Sequence, residues 1–100
     1  MDNLKSAVAG ETYEFTTMYP PMIKQAEAEN HRGKRMFAYA SRAEAVHAKL
    51  YELAARAVQN GKDLDASAFY VCPVCGHIEV GFAPTSCPIC GTKGEKFMKM

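Results

Sequence analysis

Two five-residue segments constrain this chain more than anything else in it: Cys72-Pro73-Val74-Cys75-Gly76 and Cys87-Pro88-Ile89-Cys90-Gly91, with eleven residues between Cys75 and Cys87. Each CPxCG turn presents two thiolates and aims backbone N–H groups at the sulfurs. The Gly after the second Cys permits a tight left-handed turn. Four thiolates in tetrahedral array suit Zn²⁺ or a single iron, and spacing does not separate the two. A zinc site would be structural, whereas an iron site can pass single electrons, its potential tuned by hydrogen bonds to sulfur. Two disulfides are the alternative use of four cysteines. The opening residues Met1-Asp2-Asn3-Leu4-Lys5 lack the basic start and apolar run of an export signal, so a cytoplasmic address and metal binding are expected. Four sulfurs complete a tetrahedron, so His77 is expected at the surface or behind the ligands.

The composition changes near Gly61. Residues 2–60 are rich in Ala, Glu, Lys and Met, whereas residues 68–100 hold all four Cys and three of the five Pro. The stretch 61–67 reads as a linker, because Gly61 can end a helix in the left-handed conformation. Two modules follow: residues 1–61 and residues 68–100. The second has short β-prone runs and frequent turn residues, and cannot form much of a core alone. A net charge of +1 with no run of Lys or Arg argues against nucleic acid. No segment has the roughly 20 apolar residues of a membrane helix.

In the first module, Leu4, Val8, Phe15, Met18 and Met22 follow helical spacing, as do Phe37, Ala40, Tyr51, Ala54 and Val58. The polar run Glu29-Asn30-His31-Arg32-Gly33 between them predicts an antiparallel helical hairpin, with His31 a solvated turn residue. Pro20 and Pro21 predict a break or sharp kink in the first helix, with residues 22–30 folding across the bundle end. Each stripe has a gap filled by ionisable residues: Glu11 in the first, Glu44 and His47 in the second. Glu14, three residues after Glu11, can share that face. Ionised groups at core positions are costly unless paired or metal-bound, and no Lys or Arg falls on these stripes. Arg42 and Lys49 point elsewhere on the second helix. Ferritin-like di-iron bundles use one Glu from each of two helices and Glu-x-x-His from each of the other two. One of each is present here, so a symmetric homodimer would complete four helices and a two-metal site.

These residues resemble the rubrerythrin family. Ala9-Gly10-Glu11-Thr12-Tyr13-Glu14-Phe15-Thr16-Thr17-Met18-Tyr19-Pro20 resembles the third helix of that family's ferritin-like domain, and Ala43-Glu44-Ala45-Val46-His47-Ala48 its fourth. The segment from Phe69 through Gly91 resembles its C-terminal rubredoxin-like domain. The resemblance implies a helical hairpin that dimerises into a ferritin-like four-helix bundle, followed by a small β module. It implies a non-haem di-iron peroxidase reducing hydrogen peroxide, fed from a rubredoxin-type mononuclear iron and an external donor, either a reductase or a rubredoxin. By position, Glu11, Glu44 and His47 match di-iron ligands. Glu14 matches an additional glutamate that one iron can reach on changing redox state, and Tyr19 a tyrosine near the cluster. Cys72, Cys75, Cys87 and Cys90 match the mononuclear ligands. The first two bundle helices are not matched, and a homodimer would carry two copies of Glu14. The thiolate iron is expected on the partner chain or a neighbouring dimer. The alternatives are an oxygen-reducing or iron-oxidising enzyme, an electron carrier, and a non-catalytic dimerisation module with a structural zinc ribbon.

Overall fold

The computed structural model describes residues 1–65 and 68–100; Ala66 and Ser67 of the expected linker lie outside the described residues. The first long helix runs from Asp2 to Ala28 in three parts: α1 (Asp2–Tyr13), a π-helical segment (Glu14–Met18) and α2 (Tyr19–Ala28). A turn leads to α3 (Lys34–Gln59), and both α1 and α2 pack along it as an antiparallel hairpin. The expected break at Pro20 and Pro21 is not there. The π turn widens the ladder just before them, with the Tyr19 N–H donating to the Glu14 carbonyl five residues back. The prolines then occupy the start of α2, where a missing N–H is tolerated.

Both helix ends use the same device. Gly61 is left-handed, its N–H donating to Val58 (2.9 Å) and that of Lys62 to Ala57 (2.8 Å). At the hairpin turn Asn30 takes that role, with φ 50° and bonds from its own N–H to Glu27 and from that of His31 to Ala26. Gly33 has an ordinary φ and instead receives a cap: its N–H donates to His31 Nδ1 at 2.9 Å. His31 is exposed, as expected, but holds the turn.

Beyond the linker, β1 (Phe69–Val71) is flanked by antiparallel β2 (Ile78–Val80) and β3 (Met98–Lys99), in the order β2-β1-β3. The two cysteine turns follow β1 and precede a 3₁₀ turn at Gly94–Lys96. The small sheet does not enclose a core of its own. Cys72, Cys87, Ile89 and Phe97 bury themselves against Ala43 of α3, with Tyr39 and Val46 alongside. Burying Ile89 and Phe97 stabilises this contact by about 1.5–3 kcal/mol each. Ala43, 1% exposed, is small enough to let the module sit close to the helix. The other helical face is left open: α1 buries no residue fully, and Tyr51 and Val58 of the second stripe are 38% and 42% exposed. Among the described residues, no helix is long and apolar enough to cross a membrane.

Candidate metal centres

The four cysteines converge. Cys72 and Cys87 are buried, Cys75 and Cys90 partly so, and all four sulfurs lie within 4.8 Å of one another. The pairs Cys72–Cys90 and Cys75–Cys87 stand at 3.6 Å. A tetrahedral ion with metal–sulfur bonds of about 2.3 Å needs sulfurs roughly 3.8 Å apart, so the donor set fits without rearrangement. The two turns are built alike. In each, the first Cys N–H donates to the residue after the Gly (to His77 at 2.8 Å, to Thr92 at 2.7 Å), and the Gly N–H donates back to the first Cys at 3.0 Å. Gly76 and Gly91 take φ of 85° and 81°, which a Cβ would strain.

The thiols differ in electrostatics. Burial pushes Cys75 up strongly, despite a hydrogen bond from the His77 backbone. Burial also opposes ionisation of Cys90, but hydrogen bonds from the Thr92 hydroxyl and backbone N–H, with those of Cys72 and Cys87, outweigh it and bring this thiol to about 6. His77 is not a surface residue: it is 7% exposed, its Nε2 lies 2.7 Å from Glu79, and its Nδ1 has no partner among the described residues.

The helical site gathers Glu11 from α1 and Glu44 and His47 from α3, with one donor atom of each within 4.8 Å of the others. Their side chains are only 21%, 17% and 19% exposed. Two carboxylates this sheltered need a cation, and among the described residues none comes from Lys or Arg. His47 supplies the geometry. Its Nδ1 faces Glu44 at 2.8 Å and Glu11 at 3.3 Å, while Nε2–H donates to the Gly76 carbonyl at 2.7 Å. That bond fixes the tautomer leaving Nδ1 as the free donor, the arrangement by which protein carbonyls orient metal-binding imidazoles. Burial alone would lower the pKa of His47. The Gly76 bond and the charges of Glu11 and Glu44 reverse this, and the net shift is upward.

Glu14 lies outside the set of three, but its interaction with the Glu44 carboxylate, then desolvation, raises its pKa. Tyr19 stacks obliquely on Phe37 at 6.4 Å. Burial, then the charges of Glu44, Glu14 and Glu11, hold its phenol protonated. All five residues picked out on the helices thus serve one neighbourhood. The four-cysteine module sits on its own α3, with the Gly76 carbonyl against His47. Arg42 was legible only as facing away from the carboxylates; its guanidinium donates to the Pro88 and Ile89 carbonyls at 3.0 and 3.4 Å. Neither this clamp nor the Gly76 contact has a spacing signal. Both depend on where the second module docks.

Residues 1–55 match the family model for rubrerythrin, and residues 70–98 that for the rubrerythrin rubredoxin-like domain. The chain is 40% identical over 98 residues to rubrerythrin-2 of Clostridium acetobutylicum, covering 97% of this chain and 53% of that protein. It is 40% identical over 99 residues to nigerythrin of Nitratidesulfovibrio vulgaris, covering 95% and 46%. Solved structures of nigerythrin in the mixed-valence and fully reduced, all-ferrous states superpose with a TM-score of 0.86 at 36% and 35% identity, covering 98% of this chain and 48% of theirs. The chain spans about half the length of the curated relatives it matches. With both family models matched in order along it, and a sulfur cage and a carboxylate–imidazole cluster where they fall, the chain belongs to the rubrerythrin family.

Proposed function

We propose that two copies of this chain form a di-iron peroxidase that reduces hydrogen peroxide, with electrons drawn from an external reductase or rubredoxin through the four-cysteine site. The observation that carries the reading is His47, held between Glu11 and Glu44 on one side of its ring and the first cysteine turn on the other. Iron bound at both places would supply the electrons that cleave the O–O bond of peroxide, the four-cysteine site replenishing the helical one.

The side chains do the rest. Glu11, Glu44 and His47 Nδ1 are the ligands this chain offers to the pair, and a second copy contributes the same three again. Gly76 orients His47 through its carbonyl. Reduction of peroxide to two waters consumes two protons; the Tyr19 hydroxyl keeps its proton at neutral pH, and Glu14, whose proton affinity the neighbouring Glu44 raises, stands in the same neighbourhood. The second copy is supported by what one chain leaves open. Beside Glu11 and His47 an apolar cavity of about 380 Å³ lies between the helices and the start of the small module, walled by Leu4, Leu50, Leu64, Phe69 and Ile78. On α3, Tyr51 at its edge and Val58 beyond it stay exposed.

Elemental analysis and peroxide consumption on anaerobically purified protein test the proposal. Two irons per chain are expected, one at the cysteines and one as each chain's share of the pair. Glu44→Ala should lose one iron and the peroxide turnover together. One iron per chain, retained in Glu44→Ala, would sink the di-iron reading, as would zinc at the cysteines the electron route. Turnover faster with oxygen than with peroxide would reassign the oxidant.

A further inference from the structure

The two cysteine turns superimpose residue for residue in their backbone bonds, but the position after each Gly differs: His77 in the first, Thr92 in the second. The His77 ring turns away from the sulfurs, toward Glu79 and edge-on to Phe97 at 6.5 Å. Thr92 does the opposite, with its Oγ1 3.0 Å from Cys90 Sγ. Its backbone is pinned: the Thr92 carbonyl accepts from Cys87 N–H at 2.7 Å, and the next residue, Lys93, bridges to Ser86. A β-branched side chain on a pinned backbone has little rotamer freedom, so the hydroxyl stays where it is.

Donor and acceptor follow from chemistry. A metal-bound sulfur is a thiolate and carries no proton, so the hydroxyl must donate. We infer that the Thr92 hydroxyl is a potential-setting donor: by hydrogen-bonding Cys90 Sγ it favours the ferrous over the ferric state of the four-cysteine iron. The reduced cage carries one more negative charge than the oxidised one, and a donor to sulfur stabilises the more negative state more. Only one of four sulfurs has such a side-chain donor among the described residues, and Cys90 is one of the two less buried. Thr92 thus acts on the iron through its ligand, as a positioning residue. The inference concerns the iron-loaded cage, and its bearing on function rests on the proposed electron route.

The test is the midpoint potential of the four-cysteine iron in the full chain, reconstituted anaerobically with ferrous iron, for the unmodified protein and for Thr92→Ser, Thr92→Val and Thr92→Ala. Thr and Ser should give closely similar potentials. Val and Ala should both fall, by about tenfold in the reduction equilibrium, which is roughly 59 mV for a one-electron couple. If Thr92→Val fails to hold iron, the Ser and Ala pair gives the same contrast. Potentials that do not change, or that sort by bulk (Ser with Ala, Thr with Val), overturn the inference. The metal in protein as isolated is measured separately. Zinc there would overturn the electron-route reading, while the Thr92 comparison on iron-loaded protein would still stand or fall by itself.

Discussion

At His47, metal and proton compete for Nδ1. The raised pKa means that this nitrogen keeps its proton above the ordinary 6.5 when no metal is bound. In the metal-free protein the protonated ring pairs with Glu11 and Glu44. That contribution to stability is full below about pH 6.5 and fades as pH rises through the raised value. Metal uptake runs the other way, because binding must displace the proton. Cobalt(II) affinity at the helical site should therefore weaken as pH falls through the range where histidine takes up its proton. An affinity that does not change between about pH 8 and 5 would count against competition at Nδ1. A steric prediction belongs to Gly94, whose added Cβ would land on the backbone carbonyl oxygen of Pro84. Gly94→Ala should cost about 1–3 kcal/mol, read as a lower denaturant midpoint of the metal-loaded protein.

Among the elements, the helix ends and the π turn matter most. Gly61 has open space around its missing Cβ, so Gly61→Ala suffers only the left-handed backbone, about 1–2 kcal/mol. Asn30 holds the same conformation at the hairpin turn, and Asn30→Gly should be neutral or slightly stabilising, whereas Asn30→Ala should lower the helical melting midpoint. Equal melting of Asn30→Ala and Asn30→Gly would remove the left-handed turn from the account. The π segment explains why Pro20 and Pro21 do not break the helix. A proline breaks a helix when it interrupts an i→i−4 ladder, but here the ladder has already changed pitch. A widened turn also takes up length without advancing the chain, which helps Glu11 meet Glu44 and His47 without a break.

The whole molecule is held by α3 acting on both modules. On one side it carries Glu44 and His47; on another, Ala43 and Arg42 seat the cysteine turns. Loss of the Arg42 bonds should cost about 1 kcal/mol. The expected sign of Arg42→Ala is faster hydrogen exchange at the Cys87–Cys90 turn, with the metal retained and the hairpin unaffected. Unchanged protection there would show that apolar packing alone docks the module.

The cysteine turns, the helical spacing and the ionisable gaps at Glu11, Glu44 and His47 were legible along the chain because each is a local pattern with one physical purpose. The left-handed ends at Gly61 and Asn30 are local too, but only Gly61 carries an obvious signal, since Asn takes that conformation less often than Gly. Contacts between the two modules were not legible. His47 with Gly76, and Arg42 with Pro88 and Ile89, depend on where a small, poorly cored sheet settles on α3. That choice is made by the apolar surface both partners must bury, and no spacing within either segment encodes it.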